Sequence, residues 1–540
     1  MAIVPRIARR AGANVSRTAR LVTARAVLGR RAPFWLLVRR EPPVAEVAGP
    51  RLPFSRPRGP SLLDALRALE AAAVDRRVAG VVLRLAGAPH GFAAAASLRR
   101  AVDAVRAAGK HVVAYGEQLG QPEYWVAAGA QKLWLPETGA LHLVGLRSES
   151  LFFPRLLERF ALRPEVLRVG AFKGAGEPFT RRSLSPETRA QLEAYLDDAF
   201  DALVAAIASG RGLDPDRVRD AIERGPFRAS AACEAGLADG CLYPDQVEEA
   251  LVELAPATGD APSSGRPARP RLVDATSYAH LHAHDAGYAP WLSAQPRVAY
   301  VVAEGAIHRR GSGGISTEAM VRLLRTIGDD DAVRAIVLRI DSPGGDAMAS
   351  DLLWRALAVA KRGRPLVVSM GEVAASGGYF AAVAGDAILA EAPTLTGSIG
   401  VAGGKLDAGA ALEKLGIDTD AVERGGRAGL LSATRGFTAE ERAVVRADME
   451  AMYDVFARRV AEGRDLARDA VEHVAQGRIW SGARALANGL VDAIGGPLEA
   501  LREARARAGF AADERVALQV HPRLAPIGAL RGLLGFESRL

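Results

Sequence analysis

Apolar residues along this chain follow two patterns, and each predicts a different element. Short runs at 80–85 and 335–340 are apolar except for one arginine each, which is typical of strands buried on both faces. After each run apolar residues recur at helical spacing, and a long example at 438–463 opens with the capping pattern Thr438-x-x-Glu441. Strand, helix and strand in succession predict a parallel sheet covered by helices. The pattern therefore favours the α/β class.

The same order of elements occurs twice. Residues 78–87 match 333–342 at a shift of 255, and the same shift relates Tyr124 to Tyr379. Internal similarity over such a distance indicates two homologous modules in tandem. The predicted organisation is an arginine-rich N-terminal segment (1–50), an N-terminal module (51–254), a linker (255–294), a C-terminal module (295–510) and a C-terminal tail (511–540).

A serine distinguishes the second copy from the first. Ser376 stands among small residues in Ala374-Ala375-Ser376-Gly377-Gly378, at a predicted strand-to-helix turn. A helix N-terminus stabilises negative charge, which suits a nucleophile. The first copy has Gln121 at the equivalent position, and this residue cannot attack a carbonyl. Alternatively, Ser376 caps the helix that follows it.

A lysine distinguishes the first copy from the second. The chain holds 64 arginines but only six lysines. Because arginine keeps its proton in proteins and a desolvated lysine can lose it, a lysine here suggests a chemical requirement. Lys173 lies in an apolar, glycine-rich loop, and the second copy has Ala428 in its place. We therefore expect the two modules to build one composite site, with Lys173 as base and Ser376 as nucleophile.

Four ordered motifs carry a family resemblance. They are Phe-Lys-Gly-Ala-Gly-Glu-Pro at 172–178, Asp-Ser-Pro-Gly-Gly at 341–345, Ala-Ser-Gly-Gly-Tyr at 375–379 and Leu-Thr-Gly-Ser-Ile-Gly at 395–400. The chain resembles the signal peptide peptidase A (protease IV) family in its long two-module form, over about 60–505. The resemblance implies Clp-protease/crotonase-like modules, a serine endopeptidase with a Ser–Lys dyad, and short apolar substrates such as cleaved signal peptides.

Further roles follow from the motifs. The resemblance implies that Ser398 hydrogen-bonds the lysine, whereas the first copy has Leu143 at that position. The backbone N–H groups of Gly345 and Gly377 are the candidates for the oxyanion hole, since glycine allows a close approach of substrate. No metal or organic cofactor is expected. The alternatives are a crotonase-type acyl-CoA enzyme and a membrane-associated scaffold with a decayed protease site.

The charge of the chain is concentrated at its N-terminus. The net charge is +8, but residues 1–40 hold ten arginines and no Asp, Glu or Lys. The rest is nearly neutral, so nucleic acid is not an expected partner. An arginine-rich segment without an apolar run of spanning length suits peripheral contact with an anionic membrane; the alternatives are a disordered basic tail and a targeting sequence. We expect association with the cell membrane, on a side the sequence leaves open, with a cytoplasmic location as the alternative. The resemblance also implies a homo-oligomer, specifically a tetramer.

Three alternating histidines, His280, His282 and His284, stand beside the linker. On a strand they would share one face and could bind zinc or nickel. A histidine-rich tract without a specific ligand is the favoured interpretation, because no cluster of carboxylates or cysteines accompanies them.

Overall fold

The computed structural model describes residues 33–40, 45–47, 60–86, 91–258, 268–279, 295–311, 313–511 and 514–522. Most of the arginine-rich segment and the three histidines from His280 onward lie outside the described residues. None of the helices in these ranges combines the length and the apolar composition of a membrane-spanning helix. No group of three or more potential metal ligands occurs in the same ranges.

The first module is built on a six-stranded parallel sheet. In spatial order its strands are Leu272–Asp274, Phe34–Arg40, Val78–Leu85, His111–Gly116, Lys132–Leu135 and Gly240–Cys241. A small three-stranded sheet continues it with Gln118–Leu119, Ala140–Leu141 and Phe227–Arg228. The helices are Leu62–Val74, Phe92–Ala107, Gln121–Ala127, Pro154–Arg159, Glu177–Thr180, Pro186–Arg211, Pro215–Arg224, Ala229–Glu234 and Pro244–Leu254, with 3-10 turns at Gly174–Gly176 and Pro256–Thr258.

The second module is built on an eight-stranded sheet. Its main path runs Ile479–Ser481, Leu395–Gly397, Leu366–Ala375, Val333–Ser342, Arg297–Glu304 and Ala517–His521, with Ala387–Ala390 and Ala493–Ile494 beside it. All pairs are parallel except that of Ile479–Ser481 with Leu395–Gly397. A two-stranded sheet joins Ile307–His308 to Ile315–Ser316. The helices are Thr317–Gly328, Ala347–Ala360, Gly377–Ala382, Gly409–Lys414, Ala439–Arg464, Arg468–Val474, Gly482–Ala487 and Pro497–Arg507.

Strands in both sheets are apolar on both faces because helices cover both faces. Along Val333–Ser342, Ile336 and Leu338 face one hydrophobic cluster while Ala335 and Val337 face another. Successive strand residues point to opposite sides, so a strand buried on both faces appears in the sequence as a mostly apolar run without strict alternation. The prediction of an α/β chain with two tandem modules is confirmed.

Contacts inside the two modules correspond position by position. The phenol of Tyr124 donates to the carbonyl of Leu237 at 2.8 Å, and that of Tyr379 donates to the carbonyl of Leu490 at the same distance. These tyrosines anchor equivalent helices, Gln121–Ala127 and Gly377–Ala382, against equivalent turns. The donors are related by a shift of 255 residues and the acceptors by one of 253, so the internal similarity extends to a buried hydrogen bond.

The module boundaries differ from the predicted ones at three places. Strand Phe34–Arg40, assigned to the arginine-rich segment, lies inside the first sheet between Leu272–Asp274 and Val78–Leu85. Leu272–Asp274 in turn falls within the predicted linker. Ala517–His521, assigned to the tail, pairs with Arg297–Glu304 in the second sheet. Each segment supplies backbone hydrogen bonds to a sheet, so it is part of a module.

The modules are joined by a strand pair. Arg163–Val169 of the first module runs antiparallel to Val401–Asp407 of the second through seven residue pairs. A second connection links helix Phe92–Ala107 to the second module, because the Glu372 carboxylate accepts from the N–H groups of Ala93 and Ala94 at 2.9 and 2.8 Å. A carboxylate at a helix N-terminus is favourable for both partners. The loop after Arg163–Val169 is thereby brought against the second module.

Candidate active site

Ser376 lies at the turn between strand Leu366–Ala375 and helix Gly377–Ala382. Its φ and ψ are 53° and −119°, a region that non-glycine residues rarely adopt. Its N–H donates to the carbonyl of Gly397 at 2.8 Å, which fixes the turn. The hydroxyl makes no capping hydrogen bond to the helix. The alternative role of Ser376 as a simple helix cap therefore finds no support.

Lys173 reaches this turn from the other module. Its side chain is buried, and its Nζ lies 3.0 Å from Ser376 Oγ. The same amine donates to the carbonyl and the hydroxyl of Ser398, at 2.8 and 2.9 Å. Burial lowers the pKa of Lys173 from its ordinary value of 10.5 to about 8. Desolvation has this effect because it penalises the charged form of the amine.

The backbone around the lysine admits no extra atom. The N–H of Phe172 donates to the carbonyl of Gln476 at 2.8 Å. Gly477 has a φ of 79°, and a Cβ there would lie about 2.5 Å from the backbone N of Lys173. Only glycine fits such a position, for both its φ and its lack of a side chain. The lysine loop and the loop at 476–477 are therefore packed backbone to backbone.

Ser398 follows strand Leu395–Gly397 and also adopts a positive φ, of 53°. Its N–H donates to the carbonyl of Arg478 at 2.7 Å. This contact directs both the hydroxyl and the carbonyl of Ser398 toward the Lys173 amine. The structure thus brings Lys173, Ser376 and Ser398 together within hydrogen-bond distance.

The glycine loop lies beside Ser376. Gly344 has a φ of 98°, and a Cβ on it would lie 2.6 Å from the backbone N of Gly377. Gly345 and Gly377 approach closely, since a Cβ on Gly377 would lie 3.3 Å from the N of Gly345. Within the described ranges, neither of these two N–H groups donates to a protein acceptor. Two free donors therefore stand next to the Ser376 hydroxyl.

These groups line one cleft of about 710 Å³. Its wall is mostly apolar and includes Phe172, Leu192, Met348, Phe380, Met452 and Phe456. Besides Lys173, the charged side chains along it are Asp346 and Asp351. An apolar cleft with a few convergent polar groups is the usual form of a ligand site.

The equivalent place in the first module is closed. The Gln121 amide donates to the carbonyl of Gly145 at 2.8 Å and accepts from its N–H at 3.0 Å. Leu143, at the position equivalent to Ser398, is fully buried. The first module therefore holds no serine or lysine at its own turn.

Two residues next to the lysine loop were missed by the sequence analysis. Gln191 of helix Pro186–Arg211 donates to the carbonyl of Phe172 at 3.1 Å, and the Arg478 guanidinium stacks on the Phe172 ring at 3.9 Å. Neither belongs to a motif, and they lie 19 and 306 residues from Phe172 in sequence. The one sequence feature that pointed to such contacts was the aromatic residue Phe172, directly before Lys173.

Comparison with known proteins places the chain in a family. The sequence model of Peptidase family S49 matches twice, at 104–258 and 358–511. Together these segments make up more than half of the chain, one in each module. These matches identify a peptidase rather than a crotonase-type acyl-CoA enzyme.

Curated relatives agree with this match. The chain is 32% identical over 455 residues to "Serine protease SPPA, chloroplastic" of Arabidopsis thaliana, covering 83% of this chain and 66% of that protein. It is 30% identical over 462 residues to "Protease 4" of Haemophilus influenzae, covering 83% and 73% respectively. "Protease 4" of Salmonella typhi is 32% identical over 454 residues, covering 81% and 70%. The matched part of the chain thus spans about two thirds to three quarters of these relatives.

Among solved structures, a ClpP1 mutant from Listeria monocytogenes aligns with 37% of this chain and 94% of its own at a TM-score of 0.26 and 15% identity. The two family matches and the relatives at 30–32% identity carry the assignment. The chain belongs to Peptidase family S49 and is a serine protease.

Proposed function

We propose that Ser376 and Lys173 are the nucleophile and the general base of a Ser–Lys dyad. The observation that carries this proposal is the 3.0 Å separation of Lys173 Nζ from Ser376 Oγ, with the amine buried. A pKa of about 8 leaves about 10% of the amine neutral at pH 7, against about 0.03% for an ordinary lysine. Only the neutral amine can accept the serine proton.

The proposed reaction has two stages, acylation and deacylation. Lys173 takes the proton of Ser376, and Oγ attacks the substrate carbonyl. The N–H groups of Gly345 and Gly377 bind the resulting oxyanion, which is where preorganised donors contribute most. The protonated lysine donates to the leaving amine, and an acyl-enzyme remains on Ser376. The neutral lysine then activates a water molecule, which releases the acyl group.

Ser398 has a supporting role in this proposal. Its hydroxyl and its carbonyl both accept from the Lys173 amine, at 2.9 and 2.8 Å. When both N–H bonds of the neutral amine point to these two acceptors, its lone pair is left to face Ser376. The side chain thereby orients the base.

The substrates we propose are short apolar peptides, such as signal peptides after cleavage. The apolar wall of the cleft, with Phe172, Leu192, Phe380 and Phe456, supports this class. Burial of apolar side chains contributes about 25 cal/mol per Å², so an apolar peptide gains binding free energy here that a polar one does not.

The chain is further proposed to act as a homotetramer, as the family resemblance implies. Helix Ala347–Ala360 carries three exposed apolar side chains at helical spacing, Met348, Leu352 and Val359. Apolar side chains at such spacing on one helix face are typical of a surface that contacts another protein. Sedimentation velocity of the full chain should give the mass of four copies, and a monomer would contradict the proposal.

Peripheral attachment to an anionic membrane is proposed for the arginine-rich segment. The test is sedimentation with vesicles that contain phosphatidylserine. Deletion of residues 1–32 should abolish binding, and high salt should release the intact chain, because screening weakens the attraction. A chain that never binds, or that needs detergent for release, would contradict this attachment.

The dyad is tested with Ser376→Ala, Lys173→Ala and the double variant, assayed on an apolar peptide ester. Each single variant should lose activity, and the double variant should be scarcely worse, because the pair acts as a unit. Lys361→Ala is the control, since Lys361 pairs with Asp386 away from the cleft. A serine-reactive phosphonate should label Ser376 in the parent chain. Substantial activity in Lys173→Ala would overturn the assignment.

A further inference from the structure

The residue before the proposed base, Phe172, is held from three directions. Its N–H donates to the carbonyl of Gln476 at 2.8 Å. Its carbonyl accepts from Gln191 Nε2 at 3.1 Å. Its ring lies under the Arg478 guanidinium, 3.9 Å from Cζ to the ring centroid. Both peptide groups and the side chain of Phe172 are therefore fixed.

The segment 476–479, which we name the connector, supplies or shares all three contacts. Its Arg478 carbonyl accepts the N–H of Ser398 at 2.7 Å, and its Ile479 N–H donates to Gln191 Oε1 at 3.0 Å. One amide, that of Gln191, thus bonds Phe172 with its nitrogen and the connector with its oxygen. The connector contacts the loops of both Lys173 and Ser398.

Arg478 has no ion pair with a carboxylate in the described part of the chain. Its guanidinium lies between two aromatic rings instead, with Trp480 at 5.4 Å. A partly buried cation is attracted to an aromatic face, and a planar guanidinium stacks better than an ammonium. The charge of Arg478 is therefore used to hold Phe172.

We propose that Gln191 and Arg478 are positioning residues, which hold Phe172 and thereby place the Lys173 amine between Ser376 and Ser398. This inference rests on the proposed dyad. Phe172 and Lys173 are adjacent, so a shift of one peptide group moves the other. A displacement of about 1 Å at a reacting group can cost about a hundredfold in rate.

Release of Phe172 would also admit water to the amine. Burial is what lowers the pKa of Lys173, so added solvation should raise it toward its ordinary value. Charged groups near the lysine loop include Asp346 and Asp351 in the cleft and Arg478 on the connector. The Glu177 carboxylate already accepts from Thr188 and Arg168, and the Glu472 carboxylate accepts from Gln476 of the connector at 2.6 Å.

The experiment measures kcat/KM on an apolar peptide ester, and the rate of Ser376 labelling by a phosphonate, from pH 6 to pH 10. Gln191→Leu removes both amide hydrogen bonds at similar volume, and Arg478→Met removes the cation. In both variants the rise of activity with pH should move up by about one unit, which gives about a tenfold loss at pH 7 from protonation of the amine. Displacement of the amine adds a further loss, which should remain at pH 10. Arg478→Lys keeps a cation over the ring but loses the planar stacking, so its pH profile should lie between those of Arg478→Met and the parent.

Asp198→Asn is the matched control. Asp198 bonds Ser481 and Arg484 across the same interface at 2.6–2.8 Å, but it does not contact Phe172. This variant should lower the melting temperature and leave the pH profile in place. If Gln191 and Arg478 only stabilise the fold, their variants should likewise show a lower melting temperature and the pH profile of the parent.

The outcomes separate the two proposals. If Gln191→Leu keeps the parent profile while Lys173→Ala is inactive, the positioning role is wrong and the dyad stands. Activity retained in Lys173→Ala would instead overturn the dyad on which the inference rests. Should Arg478→Met fail to fold, Gln191→Leu alone decides.

Discussion

Burial of the Lys173 amine carries a cost in stability that can be measured. The perturbation is Lys173→Met, which keeps an unbranched chain and removes the titrating group. The folded chain holds this proton with a pKa of about 8 and the unfolded chain with 10.5. Between these values the unfolded state binds more protons, so the stability of the parent rises with pH. The cost is about 3 kcal/mol at pH 7, about 2 kcal/mol at pH 9, and almost nothing above pH 11.

The assay is urea unfolding of both chains at pH 7, 8, 9 and 10, followed by tryptophan fluorescence. The three hydrogen bonds lost with the amine add an offset that does not depend on pH, so the informative quantity is the slope of the difference. The advantage of Lys173→Met, relative to that offset, should shrink by about 2 kcal/mol over this range. Lys361→Met controls for the general effect of removing a lysine. A difference in unfolding free energy that stays constant with pH would refute the claim that burial lowers the pKa of the Lys173 amine.

Three further predictions concern the backbone. Gly344→Ala should lower kcat/KM at least about tenfold, because its Cβ would displace the N–H of Gly377. The control Gly363→Ala has a similar positive φ but open space around it, so it should only cost about 1 kcal/mol of stability. Equal activities of the two variants would contradict the role of the close approach. Ser376→Gly should be more stable than Ser376→Ala by about 1 kcal/mol in thermal unfolding, because only glycine adopts φ 53° without strain, and equal melting temperatures would disprove that strain. Deletion of residues 1–32 should leave the melting curve by circular dichroism unchanged, but deletion of 1–40 removes the buried strand Phe34–Arg40 and should abolish cooperative unfolding; a normal transition in the longer deletion would contradict the pairing of that strand.

The complementary losses between the two copies were visible in the sequence, because each copy holds one reactive residue that the other copy lacks. Ser376 against Gln121 and Lys173 against Ala428 needed only a fixed shift of 255 to be noticed. The fold class was equally accessible, since strands covered on both faces leave mostly apolar runs. These inferences depended on local patterns and on one internal comparison.

Other features depended on contacts that no local pattern encodes. Strand Phe34–Arg40 is flanked by arginines and was therefore grouped with the charged segment, although its apolar centre is buried. The pairing of Arg163–Val169 with Val401–Asp407 joins segments more than 230 residues apart. Gln191 stands in a long amphipathic helix, where its polarity suggests an exposed face. Only the docked modules reveal that its amide is shared by two loops.

Gln121 bears on the history of the duplication. Its amide bonds Gly145 in both directions, and Leu143 fills the space beside it. A return to serine at position 121 would break two hydrogen bonds, meet a buried leucine and still find no lysine at 428. A single substitution therefore cannot restore a second site, as in an evolutionary ratchet. Each half depends on the other for the proposed serine–lysine pair.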